Sequence, residues 1–301
     1  MNRGLRLAAT AIGAIVLLAA AAIAFGNWNA DRRRERHVVL PPLAPFALQA
    51  SSPALLERGR YLFDTRGCAE CHGGDGGGKA FIDSGAMRVK SPNIGGGRNS
   101  AVQHYSAEDW SRTLRHGVKP DGTPVFIMPS EDYARLTDTD LSALVSYVQS
   151  LPPAGGGPLE TRLPLPVRVL YGLGLIPDAP EKIDHALPVS QPVAEGLSVA
   201  HGRYVAGMCT GCHGAGMSGG KIPGGPPDWP AAANLTPGEG SVIGRYPDAP
   251  TFIAMLRSGK RPDGTDVKVM PFASLKGLND VDAGAVYLYL KTLPPRAAGN
   301  R

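Results

Sequence analysis

Cys68, Cys71 and His72 fall in the run Cys68-Ala69-Glu70-Cys71-His72, and Cys209, Cys212 and His213 fall in Cys209-Thr210-Gly211-Cys212-His213. Both runs read C-x-x-C-H, and together they use all four cysteines of the 301-residue chain. On a helical turn, residues three apart share a face. Two thiols so placed can each add to one vinyl group of a single porphyrin, and the adjacent imidazole then faces the iron as an axial ligand. Structural zinc uses cysteine pairs or spaced histidines but does not require a His directly after the second Cys. Thioredoxin-like exchange needs one pair on a βαβ unit, and none is visible. A disulfide across so short a span is uncommon. Two complete motifs point instead to two covalently bound haem c groups.

An internal repeat, with a nearly constant offset between its two copies, identifies the opposite axial ligands. Gly59-Arg60-Tyr61 matches Gly202-Arg203-Tyr204, Asn93 matches Asn234, and Leu114-Arg115 matches Leu256-Arg257. Pro120-Asp121-Gly122-Thr123 matches Pro262-Asp263-Gly264-Thr265, and Met128-Pro129 matches Met270-Pro271. Met128 follows His72 at almost the same interval as Met270 follows His213. The proline after each Met biases it toward extended backbone. Methionine more often fills cores, and a core or loop role is the reading given to Met208, Met217 and Met255. Met87, His104 and His116 have no counterpart in the second copy. Met128 and Met270 are therefore the expected distal ligands, with His72 and His213 proximal.

These ligands need framing helices. Ser52-Pro53 reads as N-cap and first helical residue of a helix running to about Thr65. Thr137 with Asp140, and Asn279 with Asp282, open two later helices. Their apolar faces are Leu141, Leu144, Val145 and Val148, and Ala283, Val286, Tyr287 and Leu290; Pro152 and Pro294 stop them. Residues 154–196 are rich in Pro and Gly, with a short helix expected within Val167–Ile176, packed over the interface between domains or docking on a membrane or partner.

Leu7 to Phe25 is a 19-residue stretch whose one polar member is Thr10. At about 1.5 Å per residue it nearly spans a hydrocarbon core of about 30 Å. That is longer than the usual core of a cleaved signal peptide, and Trp28 follows as an interfacial anchor. Either a transmembrane anchor or a signal exports the body of the protein. Asp31–Arg36 reads as a solvated juxtamembrane tract, with headgroup contact as the alternative. Of the net charge of +5, residues 1–36 hold +4, so the basic balance is no argument for nucleic acid. Residues 37–158 carry −1 and residues 201–301 carry +4. This asymmetry predicts partner steering at Lys260 and Arg261 rather than at Arg115 and Lys119.

With these motifs in place, the chain resembles the class I cytochrome c family, and within it di-haem cytochromes related to the cytochrome subunits of bacterial alcohol and gluconate dehydrogenases. The resemblance covers about residues 53–153 and 197–295. It implies a small helical fold in which terminal helices cross and haem is wedged between loops. It also implies that Gly59 and Gly202 are close-contact glycines facing Tyr147 and Tyr289, and that Asn93-Ile94 and Asn234-Leu235-Thr236 lie near the haem edge.

The expected fold is all-α: two tandem class I cytochrome c domains behind an N-terminal transmembrane helix. The expected organisation is an anchor or signal (1–30), a juxtamembrane linker (31–52), domain 1 (53–153), a Pro/Gly-rich linker (154–196), domain 2 (197–295) and a tail (296–301). The expected function is electron transfer, not catalysis, on the periplasmic side of a bacterial cytoplasmic membrane crossed once. Electrons would pass from a dehydrogenase or quinol-oxidising donor to a terminal oxidase or soluble cytochrome, because His/Met ligation saturates both irons and raises their potential. The alternatives are a di-haem peroxidase-like or thiosulfate-oxidising enzyme, or a dedicated cytochrome subunit of a membrane dehydrogenase.

Intact mass of the denatured holoprotein should show two haems on the polypeptide, and His72→Ala or Cys68→Ala should lose one of them. A mass with fewer than two on the unaltered chain would contradict the reading.

Overall fold

A computed structural model describes residues 3–223, 225–226 and 228–300. Met1 and Asn2 of the expected anchor, Gly224 and Pro227 of the expected second domain, and Arg301 of the expected tail lie outside the described residues. The helices are α1 (Arg3–Glu35), α2 (Pro53–Thr65), α3 (Cys68–His72), α4 (Ala107–His116), α5 (Ser130–Tyr133), α6 (Asp138–Ser150), α7 (Leu165–Gly172), α8 (Val199–Val205), α9 (Thr210–His213), α10 (Ala249–Ser258), α11 (Phe272–Leu275) and α12 (Asp280–Thr292). One hydrophobic core lies within residues 55–151 and another within 205–290.

Each core is organised by a helix crossing. In the first, α2 starts where the Ser52 hydroxyl accepts from Leu55 N at 3.2 Å, with Pro53 at the first helical position. It crosses α6 so closely at Gly59 that a Cβ there would lie 2.0 Å from the Ala143 carbonyl oxygen and 2.6 Å from Tyr147 Cβ. In the second, α8 crosses α12, and a Cβ on Gly202 would lie 1.8 Å from the Ala285 carbonyl and 2.9 Å from Tyr289 Cβ. Leu62, Phe63, Leu141 and Val145 fill the first crossing, while Val205, Val286 and Leu290 fill the second.

The capping expected at α6 and α12 is half formed. Thr137 Oγ1 accepts from Asp140 N at 3.1 Å, and Asn279 Oδ1 accepts from Asp282 N at 2.7 Å. The reciprocal bond is missing from both caps because the two aspartate carboxylates point elsewhere, as described below. A complete capping box stands instead at α4, between Ser106 and Asp109.

The chain is helix-dominated but not all-α. Strands β1 (Ala80–Ser84) and β2 (Met87–Lys90) form an antiparallel hairpin, and β3 (Glu160–Arg162) adds to β2. Only Val89 turns fully inward on β2, so the segment is too short to carry a legible alternation. The sheet ties part of the expected linker to the first half.

The N-terminal helix runs past the expected boundary, to Glu35. No residue of its apolar window is buried. Length and composition fit either a membrane span or a signal. Helix α7 packs on the far end of α1, not over an interface between the two cores. The Asp31–Arg36 tract is not freely solvated. Asp31 pairs with Arg168, Arg33 with Glu181, and Arg36 with Asp178, because the segment around α7 folds back onto it.

Gly59→Ala or Gly202→Ala should destabilise by about 3 kcal/mol or more, since the added methyl meets backbone. Gly207→Ala, with nothing within 4 Å of its Cβ position, should change stability by about 0.5 kcal/mol or less. Thermal unfolding of the three variants checks this.

Candidate haem-binding sites

Cys68 lies just past the end of α2, so the Gly59 crossing positions the first C-x-x-C-H turn. Gly67 precedes it at φ 84°, a left-handed turn that glycine adopts freely. The turn opens onto a cavity of about 550 Å³ lined by Cys68, Cys71, His72 and Met128, among apolar walls that include Trp110 and Leu144. That volume is in the usual range for cofactor sites. All four expected first-site residues thus line one space. In the second half, Cys209 and Met270 pack against the second core, and His213 is buried.

Both histidines are oriented alike. His72 Nδ1 lies 3.0 Å from the Pro92 carbonyl, and His213 Nδ1 lies 2.9 Å from the Ala233 carbonyl, 20 residues along in each case. A carbonyl can only accept, so each Nδ1 carries the proton and each Nε2 keeps its lone pair for a metal. Burial lowers the His72 pKa, which favours the neutral, ligating form. Burial pushes the Cys68 and Cys209 thiols up to about 12.

The Met-Pro pairs also share one geometry. Pro129 has φ −78° and ψ 67°, and Pro271 has φ −78° and ψ 66°. Each Met carbonyl accepts from the amide two residues on, Ser130 at 2.8 Å and Phe272 at 2.9 Å. Behind them, buried asparagines organise the loops expected near the haem edge. Asn93 Oδ1 accepts from Gly95 N at 2.9 Å, and Asn234 Oδ1 accepts from Thr236 N at 2.9 Å. The rival ligands stand apart: Met87 and His104 do not line the first cavity. Neither does His116, whose Nδ1 instead lies 3.1 Å from His185 Nδ1. Met217 and Met255 are buried core residues, as expected.

The two halves meet through contacts that the repeat exchanges between them. Tyr61 donates to Asp282 Oδ2 at 2.7 Å, and its equivalent Tyr204 donates to Asp140 Oδ2 at 2.6 Å. Asn279 N donates to the Tyr61 hydroxyl and Thr137 N to the Tyr204 hydroxyl, both at 3.2 Å. Arg58 pairs with Asp140 at 2.8 Å, and its equivalent His201 pairs with Asp282 at 2.7 Å. Near the C-x-x-C-H turns, Ser274 N donates to Glu70 Oε1 at 2.9 Å, and Gly211 N donates to Asp132 Oδ1 at 3.1 Å. Burial, with the Glu131 charge beside it, pushes Asp132 up to about 7. Each C-x-x-C-H turn therefore touches the short helix that follows the other half's Met-Pro pair. The Tyr61–Tyr204 match was visible in the sequence, but nothing there showed that the pair is exchanged.

Two charge expectations need correction. Arg115 is 2% exposed, donating to the Leu136 carbonyl and pairing with Asp138, because the first core closes over it. It is no surface counterpart of Arg257. Lys260 pairs with Asp266 at 2.8 Å, so part of its charge is already neutralised.

Residues 56–152 match the sequence model of the cytochrome c family. The chain is 30% identical over 287 residues to the fructose dehydrogenase cytochrome subunit of Gluconobacter japonicus, covering 85% of this chain and 56% of that protein. It is 28% identical over 282 residues to the alcohol dehydrogenase (quinone) cytochrome c subunit of Gluconobacter oxydans, covering 82% and 56%. It is 27% identical over 287 residues to the gluconate 2-dehydrogenase cytochrome c subunit of Pantoea cypripedii, covering 85% and 63%. The chain thus spans little more than half the length of these relatives.

Desolvation, then the neighbouring His185 and the Arg115 and Arg112 charges, lower His116 from 6.5 to about 4. The folded chain therefore binds fewer protons than the unfolded chain between those values. His116 should cost no stability at pH 7 and should destabilise progressively as pH falls through 6.5 toward 4. Between pH 7 and pH 5, the melting temperature should fall further for the unaltered chain than for His116→Gln.

Proposed function

From a chain that carries a cytochrome c domain over residues 56–152 and resembles dehydrogenase cytochrome subunits over most of its length, we propose a membrane-anchored di-haem electron carrier. It is built as two tandem cytochrome c domains, 53–153 and 197–295, joined through residues 154–196. Cys68 and Cys71 tether one haem c, with His72 and Met128 on its iron. Cys209 and Cys212 tether the other, with His213 and Met270. The observation that carries the reading is the matched pair of imidazoles, each with Nδ1 on a backbone carbonyl 20 residues along.

The bound haem supplies a one-electron iron couple. The chain's own residues do the rest. When haem is bound, His72 and His213 would offer Nε2 in a fixed tautomer, and Met128 and Met270, each held in a tight Met-Pro turn, would offer the thioethers. A His and a Met on each iron would leave no open site for substrate, which favours a carrier over a peroxidase-like or thiosulfate-oxidising enzyme. A thioether ligand and an apolar wall both favour a high potential. The exchanged contacts from Glu70 to Ser274 and from Asp132 to Gly211 hold the two attachment turns against each other's domain, which suits electron exchange within the chain.

We read the chain's place as a cytochrome subunit alongside a membrane dehydrogenase, passing electrons to an oxidase or a soluble cytochrome. The names of the relatives support this. Helix α1 would cross the cytoplasmic membrane once, with both haem domains on the periplasmic side.

Carbon monoxide binding tests saturation. The reduced holoprotein should bind none. Met128→Ala and Met270→Ala should each bind one equivalent, at different haems, and the double variant two. Stoichiometric binding to the unaltered protein would overturn the carrier reading in favour of an enzyme.

A further inference from the structure

The segment around α7 has an apolar face that the described residues leave uncovered, at a depth set by α1. Leu7 to Phe25 of α1 extends about 28 Å at about 1.5 Å per residue, close to the thickness of a hydrocarbon core. Helix α7 is locked onto α1 immediately beyond that stretch. A Cβ on Gly172 would lie 1.8 Å from the Gly26 carbonyl oxygen, and one on Gly26 would lie 2.9 Å from the Val169 carbonyl. Asn29 Nδ2 donates to the Gly172 carbonyl at 2.7 Å. Arg168 donates to Asn27 Oδ1 at 2.8 Å and to Asp31 Oδ2 at 2.7 Å. Backbone contact at Gly26 and Gly172 leaves little room for sliding, so the depth of α7 follows from that of α1.

The uncovered face comprises Leu165 (52% exposed), Leu170 (41%), Leu173 (40%) and Leu175 (66%). At the same level of α1, Phe25 and Trp28 are 52% and 54% exposed. The Arg32 guanidinium lies 4.7 Å over the Trp28 ring, the aromatic and cationic pairing of a membrane boundary. Four large aliphatic side chains between Leu165 and Leu175, uncovered and at the end of a bilayer-length apolar helix, match an interfacial helix whose apolar face sits in the headgroup–acyl boundary.

We propose that α7 and the turn after it dock on the lipid surface through Leu165, Leu170, Leu173 and Leu175, so that the chain engages the bilayer at two points instead of one. This rests on the reading of α1 as a membrane span. The occupant is lipid because the face is continuous with α1, whose whole apolar window is also uncovered. The dock has a consequence for the first haem site. Asp31 and Arg34 of α1 and Tyr171 of α7 line its cavity, so one wall of that site is built from the docked pair and is held at the membrane surface.

Photocrosslinking in the full-length holoprotein tests this. p-Benzoylphenylalanine is placed singly at position 17, 173 or 187, and the protein is reconstituted alone into liposomes of phosphatidylethanolamine and phosphatidylglycerol. Position 187 is a control: Leu187 is 53% exposed and precedes Pro188, whose carbonyl accepts from Arg135, a residue of neither α1 nor α7. Mass spectrometry should find lipid adducts at 17 and 173 and none at 187. Adducts at 17 without adducts at 173 would overturn the dock and leave the anchor standing, as would crosslinks from 173 to a second protein chain. Absence of adducts at both 17 and 173 would overturn the anchor, and the dock with it.

Discussion

A backbone contact that admits no side chain lies at the centre of each half. Where Gly59 meets the Ala143 carbonyl, and where Gly202 meets that of Ala285, two helices approach more closely than any residue with a Cβ would allow. Everything that bears on the chemistry is measured from these crossings. The C-x-x-C-H turn begins shortly past the crossing glycine. Tyr147 or Tyr289 packs on the other side of the contact, and beyond the end of α6 the Pro152 carbonyl accepts from Gly96 N in the loop that follows Asn93. A shift at the glycine would move the imidazole off its carbonyl partner, since glycine and imidazole ride on one continuous stretch of helix and turn while the carbonyl belongs to a separate loop.

The second constraint is the fate of two carboxylates. Asp140 and Asp282 sit where a capping box would turn them back on their own helices. They turn outward instead, each accepting from the other half's tyrosine and from a cation or imidazole within its own half. A carboxylate that is 6% or 0% exposed is tolerated only with full hydrogen-bonding and charge compensation. Neither half supplies that alone, because Tyr61 belongs to one and Asp282 to the other. The interface therefore completes the hydrogen bonding of both acids, each of which takes one donor from the other half. The copies differ in the compensating group. Arg58 beside Asp140 is permanently charged, whereas His201 beside Asp282 is charged only when protonated, so the repeat has kept the geometry and varied the charge.

This difference also marks the limit of what the sequence made legible. The motifs, the repeat and the caps at Ser52, Thr137 and Asn279 all depend on near neighbours in the chain, and helix starts and stops follow from such local chemistry. The crossing glycines were reached only through resemblance, since nothing near Gly59 in the chain announces that Ala143 will lie against it. The direction of the Asp140 and Asp282 carboxylates, the burial of Arg115 and the pairing of Asp31–Arg36 with the segment around α7 are set by contacts between residues far apart in sequence. Charge counting placed Arg115 with Lys119 as a candidate steering charge, because composition cannot see that the core closes over it. The β-hairpin at 80–90 escaped for the opposite reason: a short strand with a single inward valine carries too little periodicity to register.

The two halves are thus alike in their attachment sites and unlike in their surroundings. Tyr171 of α7 packs edge-on against Phe126 at 4.6 Å, two residues before Met128. Its hydroxyl donates at 2.9 Å to Asp178, which is fully buried and also takes the Arg36 guanidinium at 2.8 Å. A chain of packed and hydrogen-bonded groups runs from the end of α1 through Asp178 and Tyr171 to Phe126, on the stretch that leads to Met128. Among the described residues, no helix of the second half packs on α1 as α7 does. Separating Arg36 from Asp178 would strand a carboxylate in the protein interior, so this link between the end of α1 and α7 resists relaxation. The two C-x-x-C-H turns thus sit in different surroundings, the first beside the end of α1 and α7, the second across the Tyr61–Tyr204 contacts in the half that carries the excess positive charge of residues 201–301.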